Sequence, residues 1–63
     1  STVRDLKIGD TGDAVKAVQT ALGINADGIF GPNTRRTVIS FQSKNGLEAD
    51  GIVGKATRQK LGI

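Results

Sequence analysis

Four kinds of chemically useful side chain recur in matched pairs along this 63-residue chain: carboxylates at Asp27 and Asp50, guanidiniums at Arg35 and Arg58, amides at Gln19 and Gln42, and hydroxyls at Thr34 and Thr57. Two carboxylates can share acid and base work on a glycosidic bond. An Arg beside a helix N-terminus can hold an anion. Yet Asp27 and Asp50 occupy the same place in two copies of one loop, as residues that build a turn would. They are read as turn formers, with contact to sugar hydroxyls as a further role. Arg35 and Arg58 are read either as anion contacts or as surface partners of a nearby Asp. Gln19 and Gln42 are read as buried amides that satisfy loop backbone, or alternatively as lining for a shallow groove.

Much other chemistry is excluded by composition. The chain has no His and no Cys, so the commonest general base, thiolate nucleophiles and the usual zinc ligands are all missing. No cofactor or metal is expected. Trp and Tyr are absent and the only aromatics are Phe30 and Phe41, too few for a platform on which nucleic-acid bases stack. Apolar runs are too short to span a membrane or serve as a signal sequence. The net charge of +3 is uneven: residues 1–31 balance to −1 and residues 32–63 to +4. That surplus is small for a phosphate-tracking surface. A start at Ser1 rather than Met suggests a processed protein or an excised module.

The elements that must position these residues come from an internal repeat. Residues 18–38 align without a gap on residues 41–61, a shift of 23, with nine of 21 pairs identical. Ala14, Val15, Val18, Ala21 and Leu22 recur at helical spacing, and Gly23 follows as a stop, which predicts a helix from about Asp13 to Leu22. Pro32 suits the first position of a second helix, which turns Thr34, Val38, Ile39 and Phe41 inward and ends before Asn45-Gly46. A short third helix is expected from about Lys55 to Leu61. The expected fold is therefore all-α, a compact three-helix bundle made of two helix-loop-helix units that share the middle helix. Leu6 and Ile8 should tuck the N-terminal segment against the bundle. Residues 1–5 are read as a flexible lead and residues 6–63 as the domain.

The repeated loop reads Asp27-Gly28-Ile29-Phe30-Gly31-Pro32-Asn33-Thr34 and again Asp50-Gly51-Ile52-Val53-Gly54-Lys55-Ala56-Thr57. An Asp-Gly pair makes a tight turn, the carboxylate accepting a backbone N–H two residues on and the glycine taking positive φ. Thr34 and Thr57 fall in a first helical turn and can bond back to the loop. Ile29 and Ile52 are expected to anchor the loops in the core. Phe30 stands where the second copy has Val53, so it is expected to be core but partly exposed, available to the face of a sugar.

As a set these motifs resemble the peptidoglycan-binding domain of bacterial and phage cell-wall hydrolases. The resemblance runs over residues 6–61. It rests on Leu6-Lys7-Ile8-Gly9-Asp10-Thr11-Gly12, Val18-Gln19, Asp27–Thr34, Phe41-Gln42, Gly46-Leu47, Asp50–Thr57 and Leu61; Val18 stands where that family usually has Leu. It implies a non-catalytic, monomeric three-helix module that binds peptidoglycan, glycan or stem peptide. It also implies a linked catalytic domain such as an amidase or muramidase, and an extracellular, cell-wall or periplasmic setting, phage delivery included. Residues expected at the ligand are Gln19, Asp27, Phe30, Thr34, Arg35, Gln42, Asp50, Thr57 and Arg58. Nucleic acid and membrane are not expected partners. Similar domains in protease propeptides keep a protein-docking or pro-segment role as the alternative, with a nucleic-acid-binding three-helix domain behind it.

Overall fold

A computed structural model describes residues 5–63 of the chain. Three helices follow one another, α1 (Asp13–Leu22), α2 (Pro32–Lys44) and α3 (Lys55–Leu61), and α1 packs against both of the others. Their limits are set by the residues that punctuate the sequence. Pro32 opens α2 at a position where an N–H has no intrahelical partner. α1 closes on Gly23 in the left-handed conformation, with Ile24 N–H returning to the Gln19 carbonyl at 3.0 Å. α2 closes through Asn45, and Leu47 N–H returns to the Gln42 carbonyl at 2.8 Å. Ile24 and Leu47 are half-buried past these two ends, where an apolar residue folds back on the last turn.

The core is small. Leu6, Val15, Val18, Phe30, Val38 and Val53 are buried, with Leu22 and Leu61 packed against them. α1 therefore buries one narrow face, in which Val15, Val18, Gln19 and Leu22 succeed one another at helical spacing. Ala14 and Ala21, expected inward, flank that face and are exposed. Ile39 and Phe41 on α2 are half-buried rather than central.

Residues 6–12 do more than cover the bundle. They lie across both loops, pairing antiparallel with each at isolated bridges, Leu6 with Val53 and Thr11 with Ile29. Leu6 and Val53 exchange backbone hydrogen bonds at 3.2 and 2.8 Å. Gly9 N–H reaches the Phe30 carbonyl, Phe30 N–H the Asp10 carbonyl and Gly12 N–H the Gly28 carbonyl, each at 2.9 Å. Leu6 is buried as expected, but Ile8 is 48% exposed, because it sits in a turn closed by Lys7 N–H donating to Asp10 Oδ2 at 2.9 Å. Residues 1–4 of the expected flexible lead lie outside the described residues. Asp5 is exposed, and its carboxylate lies 3.9 Å from the Arg58 guanidinium.

Extended pairing also decides which loop residues face inward. Neighbouring residues of an extended segment point to opposite sides. Phe30 and Val53 point in, at 1% and 0% exposure, while Ile29 and Ile52 point out, at 57% and 36%. This reverses two expectations. The isoleucines do not anchor the loops, and Phe30 offers no face to a ligand.

Candidate functional site: two hydrogen-bonded loops and their clefts

Gln19 organises the first loop from inside the protein. Its Oε1 accepts Gly28 N–H at 2.9 Å. Its Nε2 faces three acceptors: Asp27 Oδ1 at 2.9 Å, the Ile29 carbonyl at 3.0 Å and Thr34 Oγ1 at 3.1 Å. Asp27 Oδ1 also accepts Ile29 N–H at 2.9 Å, closing the turn that the Asp-Gly pair predicts. Gln42 repeats the arrangement in the second loop. Gly51 N–H donates to Gln42 Oε1 at 3.0 Å, and Gln42 Nε2 reaches Asp50 Oδ1 at 3.2 Å, the Ile52 carbonyl at 2.9 Å and Thr57 Oγ1 at 3.1 Å. Ile52 N–H closes on Asp50 Oδ1 at 2.9 Å.

Both glutamines are buried, as are Thr34 and Thr57, and among the described residues no buried side-chain polar atom lacks a partner. A primary amide has two hydrogens and one carbonyl oxygen, and here all of them are turned to the loop. Gln19 and Gln42 thus follow the buried-amide reading, and neither lines an open groove with a free group.

Gly28 and Gly51 have φ of 78° and 77°, and each is roofed by the preceding helix. A Cβ on Gly28 would stand 3.2 Å from Lys16 Cε and 3.3 Å from its Cγ; one on Gly51 would stand 3.0 Å from Arg35 Cγ. The two repeated arginines therefore part company. Arg35, exposed at the start of α2, lays its stem over Gly51 of the second loop. Arg58 is only 20% exposed and turns to Asp5, with Nη1 3.4 Å from the Val53 carbonyl.

The carboxylates face solvent. Hydrogen bonds from Ile29 N–H and then from the Gln19 amide hold the Asp27 carboxyl below the usual carboxylate range, against a smaller opposing effect of desolvation. In each turn the bonds converge on Oδ1, and no hydrogen bond within the described residues uses Oδ2 of Asp27 or Asp50. Each Oδ2 stays available as an acceptor.

An open cleft lies beside each loop. The first has a volume of about 310 Å³ and is walled by Ile24, Asn25, Asp27, Asn33 and Thr37 over a floor of Gln19 and Thr34. The second, about 210 Å³, is walled by Leu47, Glu48, Asp50, Ile52, Lys55 and Ala56 over Gln42 and Thr57. The structure thus gathers Gln19, Asp27 and Thr34 at one cleft and Gln42, Asp50 and Thr57 at the other. It sends Phe30 to the core and Arg58 to the N-terminal segment. Asn25, Asn33 and Thr37 were not singled out from the sequence, because Glu48, Ala56 and Lys60 stand at the matching places and the repeat hides them. Among the described residues, no group of three or more His, Cys, Asp or Glu side chains is placed to hold a metal.

This fold and this doubled loop are those of a known class of cell-wall module. The family model described as "Putative peptidoglycan binding domain" matches residues 11–61, and the chain belongs to that family. A peptidoglycan-binding protein from Clostridioides difficile, solved with glutamine hydroxamate, is 45% identical with a TM-score of 0.93, over 98% of this chain and 42% of its own. The endolysin of Burkholderia phage AP3 is 37% identical with a TM-score of 0.91, over 95% of this chain and 25% of its own. A fused zinc-dependent amidase/peptidase with a peptidoglycan-binding domain, from Clostridium acetobutylicum, is 37% identical with a TM-score of 0.92, over 95% and 29%. The chain spans less than half the length of each of these three proteins. No curated protein sequence gives a significant match.

Proposed function

We propose that this chain is a non-catalytic peptidoglycan-binding module whose task is to hold a linked cell-wall hydrolase on its substrate, outside the cytoplasmic membrane. The observation that carries this reading is the pairing of open polar clefts with fully satisfied loops. The buried amides are spent on rigidity, while an outward carboxylate oxygen in each loop is left for a partner. A rigid rim loses little conformational freedom when it binds.

The same geometry argues against hydrolysis by this chain itself. Asp27 and Asp50 each serve their own turn, and each is bound through the same oxygen to the same kinds of donor. A general acid would need its proton held near neutral pH, yet the Asp27 carboxyl is shifted the other way. Among the described residues no helix is long and apolar enough to cross a membrane.

Contacts in a shallow polar cleft give weak binding, and the benefit of such a module lies in effective concentration. Incubation of the 63-residue chain with purified sacculi, followed by sedimentation, tests the reading. The chain is expected in the pellet at low and moderate salt; a chain left wholly in the supernatant overturns it.

A further inference from the structure

The two clefts are built on the same floor and differ at the rim. A shift of 23 residues carries Gln19, Ile24, Asp27 and Thr34 onto Gln42, Leu47, Asp50 and Thr57, so the supporting parts agree in kind. The same shift carries Asn25 onto Glu48 and Asn33 onto Ala56. The first rim therefore holds two neutral amides beside one carboxylate, whereas the second holds Glu48, Asp50 and Lys55.

Those rims suit different ligands. An uncharged sugar offers hydroxyls and, when N-acetylated, an amide, and each of these both donates and accepts. Asn25 and Asn33 match that, since each side-chain amide brings an NH₂ and a carbonyl oxygen, and neither side chain has a hydrogen bond within the described residues. Asp27 Oδ2 is an ionised acceptor for a hydroxyl pair. Thr37, which lines the same cleft, already donates its hydroxyl to the Asn33 carbonyl at 2.9 Å, and a hydroxyl oxygen that donates keeps its capacity to accept. Ile24 supplies an apolar wall for the C–H face of a ring. At the second rim a neutral sugar would displace water from two carboxylates and an ammonium with few two-way partners to replace it, an unfavourable exchange.

From this division we propose that the first cleft, bounded by Asn25, Asp27, Asn33 and Thr37, is the subsite for a neutral N-acetylhexosamine of the glycan strand, and that the second cleft does not share this role. The inference rests on the peptidoglycan-binding reading and assigns it a place and a ligand class. The repeat has kept one scaffold twice and changed the chemistry of one rim.

Titration of the ¹⁵N-labelled chain with the tetrasaccharide of N-acetylglucosamine tests it. Amide shifts are expected at Asn25, Asp27, Asn33 and Thr37, with Glu48, Asp50 and Lys55 unmoved. Asn33→Ala and Asn25→Glu each install the residue that the second loop carries at the matching position. Each is expected to melt close to the parent chain and to weaken the tetrasaccharide by about fivefold, the loss of one net hydrogen bond. Glu48→Gln should leave affinity unchanged. Shifts centred on Glu48 and Lys55, no shifts at all, or unchanged affinity in both asparagine variants would each overturn the assignment. Sacculus sedimentation separates the two levels. Retention without a response to the tetrasaccharide removes the glycan subsite and leaves the binding reading, with a stem peptide as the next probe, while failure in both assays removes both.

Discussion

Gln19 and Gln42 stand 23 residues apart and hold their loops with the same four kinds of bond, one accepted from a glycine N–H and three directed to an Asp carboxylate, an Ile carbonyl and a Thr hydroxyl. Both side chains are buried at 1% exposure, so water cannot substitute for either. A buried amide with every group satisfied stabilises chiefly because removing it strands its partners.

Replacement of Gln19 by Met keeps the volume and removes every one of those bonds. Gly28 N–H then loses its buried acceptor, and the variant should be less stable by about 2–4 kcal/mol. Gln42→Met should behave alike. Urea unfolding of the two variants measures both, and near-equal losses are expected.

Gly28→Ala and Gly31→Ala form a contrast. Gly28 has φ of 78° and a Cβ there would meet Lys16 at 3.2 Å, whereas Gly31 has φ of −105° with nothing within 4 Å. The first substitution should destabilise by more than about 1 kcal/mol, and the second should stay within about 0.5 kcal/mol of the parent. Thermal melts at matched pH separate them.

Acid should reveal the Asp27 turn. Its folded carboxyl titrates below the ordinary value of 3.8, so protons bind the unfolded chain more readily than the folded one. The stabilisation is complete above that ordinary value and is lost as pH falls through the folded value. Asp27→Asn should therefore flatten the fall in stability over that acidic window, read from melting temperatures between pH 5 and about pH 2.

Phe30→Ala should remove about 3–5 kcal/mol, comparable with the whole stability of a domain this size. Circular dichroism at room temperature should show a largely unfolded chain. Phe30→Leu should remain folded, and since the ring is at 1% exposure, sacculus retention should survive in it.

The helices were legible because Gly23, Pro32, Asn45-Gly46 and Gly62 mark their ends and because one apolar face recurs between the marks. The loops were legible too. Asp27-Gly28 and Asp50-Gly51 name their turn, and the matched Gln and Thr residues point to what closes it. Side-chain direction inside the loops was not. Ile29-Phe30 and Ile52-Val53 are apolar at both positions, so composition gives no preference, and the extended pairing with residues 6–12 is what turns the second of each pair inward. That pairing has no local signal, since Leu6 and Val53 lie 47 positions apart. The roofing of Gly28 by Lys16 and of Gly51 by Arg35 is hidden for a related reason. Long polar side chains on an exposed face look like solvated charge until the backbone beneath them is seen.

The Leu6–Val53 bridge also bears on how such a module is transplanted. The family model's match begins at Thr11, and an engineer guided by that boundary would splice there. That cut discards a side chain at 5% exposure, frees the edge of the second loop, and removes the Gly9 and Asp10 bonds to Phe30. A graft joined ahead of Leu6 carries its own clasp; one joined at Thr11 leaves the fastening behind.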